Sequence, residues 1–261
     1  MMRYVLLHVL LLISQACLAQ EKFQLAPPML KYLSGFFAGT TSFEVIFNQP
    51  GAVVRYTLDG KEPTENDRVY SGPVSINKRT TVKARAFGKD YLPSETVTAT
   101  FIKDGKPIRA ARYSKPNESY AGSSPDLLKD NTGGITNYRS GTWVGFDSDT
   151  VTVEIEMDKK VSINNILINL LQDENSWIFL PERVEAFYFD VSKKKYLPAT
   201  EKTFSHQEPG PKQCKVLEIM PAGKINTDKL KLVFHTVKKI PEWHSGKGQH
   251  GWLFIDEIKV Y

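Results

Sequence analysis

Between residues 42 and 103 apolar and polar positions alternate with a period of two. Phe43, Val45 and Phe47 fall on one face, and Glu44 and Ile46 on the other. Val82, Ala84 and Ala86 oppose Lys83 and Arg85, while Val97, Ala99 and Phe101 oppose Thr96, Thr98 and Thr100. Such alternation marks strands buried on one side, because successive side chains of a strand point to opposite faces. Breakers stand between the runs at Pro50-Gly51, Pro63, Gly72-Pro73 and Pro93. Asp59-Gly60 predicts a tight two-residue hairpin, since both central positions of that turn need positive φ. The spacing of these turn signals is that of an all-β sandwich.

Residues 104–122 break the alternation. Asp104-Gly105-Lys106-Pro107 reads as a turn, and the polar stretch to Gly122 reads as a connector, part of which is free to pair with the second domain. A second β pattern starts at about 123. In 151–157 Val151, Val153, Ile155 and Met157 face inward, and Thr152, Glu154 and Glu156 face water. The denser apolar run 164–171 suits a strand covered on both faces. Residues 183–191 and 229–237 alternate again, and 252–261 close the chain. No segment carries a helical period. The expected architecture is all-β: a leader over 1–19, a sandwich over 20–103, a linker over 104–122 and a second sandwich over 123–261 with long functional loops at one end.

Composition changes this picture little. The 261 residues carry 41% apolar and 11% aromatic side chains, enough to bury real cores. The net charge of +5 comes from signs that are interspersed. The Lys193-Lys194-Lys195 run sits where a strand turn belongs and reads as a solvated tip. No basic stripe accompanies a nucleic-acid motif, so no nucleic-acid partner is expected. Arg3, the apolar stretch from Val5 to Ile13 and the small residues Ala16 and Ala19 form a secretory signal too short to span a membrane. Cleavage after Ala19 exports the chain to the periplasm, cell surface or medium. The alternative reading takes Ser14-Gln15-Ala16-Cys17 as a lipobox with a lipid on Cys17. Without Cys17 only Cys214 remains, so no internal disulfide forms, and Cys214 reads as a small buried hydrophobe.

Two resemblances cover nearly all of the mature chain. VRYTLDGKEPT at 54–64, YSGPVSI at 70–76 and TTVKARAF at 80–87 resemble the chitobiase/β-hexosaminidase C-terminal, fibronectin-III-like domain, a non-catalytic module appended to secreted carbohydrate-active enzymes. LLKDNTGGITNYRSGTWVGF at 127–146, NSWIFLPERVEAFYF at 175–189 and IPEWHSGKGQHGWLFIDEIKVY at 240–261 resemble the discoidin, or coagulation-factor type C, jelly-rolls. Family 32 carbohydrate-binding modules belong to that group, and the combination is similar to the C-terminus of some bacterial family 20 β-hexosaminidases. The resemblance implies an immunoglobulin-like sandwich followed by a galactose-binding-like jelly-roll. It also implies a structural Ca²⁺ between an early loop and the last strand, at Asp130 and Glu257. Asn131 stands where that family usually has Gly. The competing reading is a carboxylate capping a turn or pairing with Lys or Arg.

A sugar offers an apolar C–H face to an aromatic ring and hydroxyls to paired donors and acceptors. The candidates therefore join an aromatic to a polar neighbour in a loop: Tyr138 with Arg139, Asn175 with Trp177, and Trp243 with His244. Trp143 and Trp252 adjoin apolar strands and read as core, and Trp177, followed by Ile178 and Phe179, has core or loop packing as its competing reading. Trp243, flanked by Glu242 and His244 and followed by Ser245-Gly246, is the expected exposed platform.

Catalysis finds little support. The barrel of the family 20 enzymes needs about 250 residues of alternating strands and helices. Asp256 and Glu257 cannot serve one site from a strand, since they point to opposite faces. No nucleophile elbow, phosphate loop or dinucleotide fingerprint occurs, and zinc finds no His/Cys cluster. The expectation is an exported, monomeric, non-catalytic protein that binds a glycan or polysaccharide. Cell-surface adhesion to protein, an accessory fragment of a β-hexosaminidase-type hydrolase, and a small β-sandwich hydrolase are the alternatives.

Overall fold

The computed structural model describes residues 22–261; the leader, Cys17 and the cleavage position lie outside the described residues. Among those described, no helix is long and apolar enough to cross a membrane. The protein is all-β, with 3₁₀ turns only at Glu118–Tyr120, Leu127–Lys129 and Glu174–Ser176 among the described residues.

The N-terminal strands are β1 (Met29–Tyr32), β2 (Phe36–Phe37), β3 (Thr41–Ile46), β4 (Ala52–Thr57), β5 (Arg68–Val69), β6 (Val74–Ile76), β7 (Thr80–Gly88) and β8 (Val97–Lys103). They form a sheet β1-β3-β6 and a sheet β2-β8-β7-β4-β5. The alternation read from the sequence sets the core: Val54, Ala84 and Ala86 are buried, with Val45, Phe47 and Tyr56 packed on them. Asp59-Gly60 does not make the expected two-residue hairpin. Of the pair only Gly60 has positive φ, at 78°. The Asp59 carboxylate accepts the Lys61 N–H at 3.2 Å instead. This side-chain turn carries the chain away from β4, and β5 is reached only at Arg68.

The C-terminal strands are β9 (Ile108–Tyr113), β10 (Val144–Phe146), β11 (Thr150–Ile163), β12 (Ile166–Gln172), β13 (Arg183–Asp190), β14 (Lys195–Thr203), β15 (Gln213–Ile219), β16 (Ile225–His235) and β17 (Leu253–Val260). The polar segment 104–122 thus contributes β9, which pairs with β11. One sheet runs β10-β17-β12-β15 and the other β14-β13-β16-β11-β9. Between them lies the core of Val151, Val153, Ile155, Ile166, Ile168, Leu230, Leu232, Phe234, Ile255 and Ile258. Every residue of β12 and β17 is buried. That explains the unbroken apolar run at 164–171, and it forces Asn169, Asp256, Glu257 and Lys259 to find partners inside. The lysine run forms a hairpin tip: the Asp190 carboxylate accepts the N–H groups of Ser192 and Lys193, and Lys194 has φ 51°.

The described chain divides into two compact units. One comprises 22–31, Glu44–Pro73 and Thr81–Ala99; the other comprises Tyr32–Phe43, Val74–Thr80 and Thr100–Tyr261. The second takes in segments that precede residue 104 in sequence, because Phe36 and Ile102 are buried with Leu167, Val216 and Tyr261.

Candidate functional site

The larger unit carries a cleft of about 510 Å³ at its loops. It is lined by Glu118, Ser119, Tyr120, Tyr138, Arg139 and Trp143, among others. Trp143 is its floor: the indole is 1% exposed, and its Nε1–H donates to the Ile135 carbonyl at 2.8 Å. Gly134 lies so close to that indole that a Cβ there would overlap it. The loop carrying Tyr138 can therefore fold tightly over the ring only with glycine at this position.

Tyr138 is half-buried, held edge-on against Tyr120 and Phe254 at 5.8 and 5.9 Å between ring centroids. The Arg139 guanidinium lies 5.3 Å from the Tyr138 ring centre. Among the described residues Arg139 makes no ion pair. Its five N–H donors are thus available at the mouth of the cleft, and stacking restricts their directions. Glu118, on the same wall, pairs with Lys115 at 3.3 Å. The hydroxyls of Ser119, Ser123 and Tyr120 add neutral donors and acceptors.

The aromatic cluster of this cleft is tied to the Trp177 loop through the backbone of Trp252. Tyr120 meets Trp252 edge-on at 5.3 Å, and the Trp252 N–H donates to the Trp177 carbonyl at 2.8 Å. Trp177 is 37% exposed, the most open of the tryptophans. Its φ of 64° lies in the left-handed region, which is unfavourable for a residue with a side chain. The surrounding polar groups hold it there. The Trp177 N–H donates to the Glu174 carbonyl at 2.8 Å. The Glu174 carboxylate, 6% exposed, accepts Gln172 Nε2 at 2.8 Å and the Gly210 N–H at 2.7 Å. Asp173 accepts Lys212 Nζ at 2.8 Å and the Ser176 hydroxyl at 3.0 Å. Gly246 backs the indole, and a Cβ there would stand 2.7 Å from Trp177 Cε2. Asn175 is exposed beside it.

Trp243 and His244 do not provide the expected platform. Trp243 packs against Phe179, Val237 and Ile240, and its Nε1–H donates to the His206 carbonyl at 2.8 Å. His244 is 8% exposed; its Nε2–H donates to the Glu174 carbonyl at 2.8 Å, and its Nδ1 accepts the Gly246 N–H at 2.9 Å. Both ring nitrogens are spent on backbone, so the residue braces the Trp177 loop. The reason is local: residues 240–249 fold back on themselves, with the Gly248 N–H donating to the Ile240 carbonyl at 2.9 Å, and this turns the indole inward.

The residues expected to hold calcium meet partners within the protein. Glu257 is 0% exposed. Its Oε1 accepts the N–H groups of Asn131 and Thr132 at 2.5 and 3.3 Å, and its Oε2 faces the Lys259 ammonium. The Asp130 carboxylate caps its own loop through the Thr132 N–H at 2.8 Å. Burial, with the Asp130 carboxylate beside it, raises Glu257 to about 7 against the Lys259 ammonium; a hard cation there would need further oxygens, six or more in all. Among the described residues no group of three or more His, Cys, Asp or Glu side chains converges on a metal position.

Asp256, also 0% exposed, points the other way from Glu257. It accepts Asn169 Nδ2 at 3.1 Å and the Gly134 N–H. Burial pushes its carboxyl up to about 8, against those two hydrogen bonds. The Cys214 thiol, half-buried and donating to the Gly134 carbonyl at 3.3 Å, is pushed up to about 11 by burial, as befits an inert core sulfur.

Tyr120 and Trp252 were not singled out as site residues by the sequence. Tyr120 stands in a stretch that reads as a connector, and Trp252 adjoins an apolar strand. Their aromatic neighbours Tyr138 and Phe254 come from distant positions, so only the fold brings them together.

Comparison with known proteins agrees with the first resemblance. Residues 33–98 match the family model of the chitobiase/β-hexosaminidase C-terminal domain. No curated protein matches this chain. Among solved structures, the C-terminal domain of a chitobiase from Bacteroides fragilis is 17% identical, with 59% of this chain and 91% of that one covered and a TM-score of 0.38. A CBM32 module of a family 31 glycoside hydrolase from Clostridium perfringens is 14% identical, covering 59% and 94% at a TM-score of 0.38. A pectin-binding carbohydrate-binding module is 21% identical, covering 59% and 91% at 0.35. The functional reading therefore rests on the geometry of the cleft and on the match over 33–98.

Proposed function

We propose that this chain is an exported, non-catalytic carbohydrate-binding protein that holds glycan at the cleft formed by Tyr138 and Arg139, with Trp177 and Asn175 extending the surface. One observation carries the reading. A guanidinium without a protein counter-ion among the described residues is stacked on a half-open phenol at the mouth of a cleft lined with hydroxyls. The ring supplies a face for sugar C–H groups, while the guanidinium and hydroxyls supply directed donors. The carboxylates favour binding over hydrolysis. Asp256 and Glu257 are sealed inside the core, and Glu118 is the carboxylate lining the cleft. Glycoside hydrolysis by the usual route sets two carboxyls across the scissile bond.

A glycan array of the full chain, followed by titration calorimetry with the best hit, tests the proposal. Arg139→Ala and Trp177→Ala are each expected to lower affinity about tenfold, the equivalent of about 1.4 kcal/mol, with unchanged circular dichroism. An array without hits, together with a protein partner captured through the same residues, would replace it by the adhesion reading. Release of sugar that is lost on Glu118→Gln would replace it by an enzyme.

A further inference from the structure

We infer that Lys259 is this protein's own cation at the junction of the 130–132 loop with strand β17, and that its ammonium makes the junction independent of divalent metal. Lys259 follows Glu257 by two residues on β17, so both side chains leave the same face of the strand. Lys259 is 5% exposed, which is rare for lysine and demands a partner. That partner is Glu257 Oε2, while Glu257 Oε1 takes the N–H groups of Asn131 and Thr132. The ammonium also stands 6.0 Å from the centre of the Phe36 ring, so a π face covers it from another side.

A second observation concerns access. A cavity of about 230 Å³ adjoins the pair, lined by Lys106, Lys129, Asn131 and Lys259 with Asp104. The Asn131 Oδ1 is buried without a partner, and Glu257 Oε2 meets the Lys259 ammonium as an ion pair without a hydrogen bond; both are oxygens that a cation would welcome. Yet a divalent ion reaching them would meet ammonium groups on the cavity wall, and like charges brought together repel strongly where the dielectric is low. Lys129 is partly offset by Asp126 at 2.8 Å; Lys106 forms no ion pair among the described residues. The fixed charge therefore does what a bound ion would do: it ties the carboxylate of the last strand to the loop, and it does so without a binding equilibrium. This inference is independent of what the cleft binds.

Calorimetric titration of the full chain with CaCl₂, and its melting temperature in EDTA and in millimolar CaCl₂, test it. The expected result is no saturable heat and the same melting temperature in both. A stoichiometric calcium site, or a melting temperature that EDTA lowers by several degrees and CaCl₂ restores, overturns it. Lys259→Met strips the internal cation and is expected to melt lower in EDTA and to recover part of the loss in CaCl₂. Lys259→Arg keeps the charge and is expected to stay indifferent to both. Wild-type melting in Lys259→Met, in EDTA, would show that the ammonium holds nothing and would also overturn the inference. The titration of the unmodified chain decides the matter even where a variant does not fold.

Discussion

At the scale of single residues, the presentation of Trp177 depends on atoms that are easy to overlook. The left-handed backbone of this residue is unfavourable, and it persists because Glu174, Asp173 and His244 spend their polar atoms on its loop. Gly246 leaves the space that the indole fills. Gly246→Ala is therefore expected to push the indole aside, costing about 1–3 kcal/mol of stability. It should also weaken glycan retention more than Asn175→Ala does. Thermal melting and affinity electrophoresis of the two variants check this. Asp256 gives a pH-dependent counterpart. Its folded carboxyl titrates near 8, and the unfolded one near the ordinary value of about 4. Between those values the folded state binds the extra proton, so stability falls as pH rises from about 4 to about 8 and levels off above. Glu257, raised to about 7 by burial, acts in the same direction, while the lowered His206 acts oppositely. Asp256→Asn is expected to reduce the slope of melting temperature against pH over that window. An unchanged slope would show that the burial of Asp256 has no linkage to folding.

At the scale of elements, the alternating pattern was the dependable signal. The inward sets of β7 and β11 are the ones expected, and Val82, Ala84, Ala86, Val151, Val153 and Ile155 are all fully buried. The reason is that sidedness on a half-buried strand is a property of two adjacent residues and needs no distant partner. Turn chemistry was less dependable: Asp59-Gly60 closes a side-chain turn in which the Asp59 carboxylate accepts the Lys61 N–H, in place of a tight hairpin. Strands β12 and β17 are sealed on both faces, so truncation inside them leaves a cavity. Ile255→Ala is expected to cost about 2–5 kcal/mol. Thr152→Ala, on the outward face of β11, should cost far less, about 0.5 kcal/mol. Urea unfolding of the two variants compares these costs directly.

At the scale of the whole molecule, a ligand that binds only the folded state raises stability by mass action. At a hundredfold excess over its Kd, a glycan held at the Tyr138–Arg139 cleft is expected to add about 2.7 kcal/mol. At the same glycan concentration the Arg139→Ala variant, binding about tenfold more weakly, should keep only about 1.4 kcal/mol of it, with its unliganded melting temperature unchanged, because Arg139 is exposed and forms no ion pair among the described residues. Differential scanning calorimetry with and without the glycan separates the two effects. A ligand-induced rise as large in Arg139→Ala as in the unmodified chain would place the glycan elsewhere.

By itself the sequence determined the class of fold, the faces of the strands, the core position of Trp143 and the pairing of Tyr138 with Arg139, since each depends on neighbours along the chain. The tertiary structure decided which aromatics are open. Trp243 is turned inward by its own loop, Trp177 is held outward, and Tyr120 enters the cleft beside rings drawn from positions more than a hundred residues away. It also decided that the carboxylate of Glu257 meets an ammonium two positions along the same strand. Exposure and charge pairing are properties of what packs around a side chain, and along the backbone those surroundings are far apart.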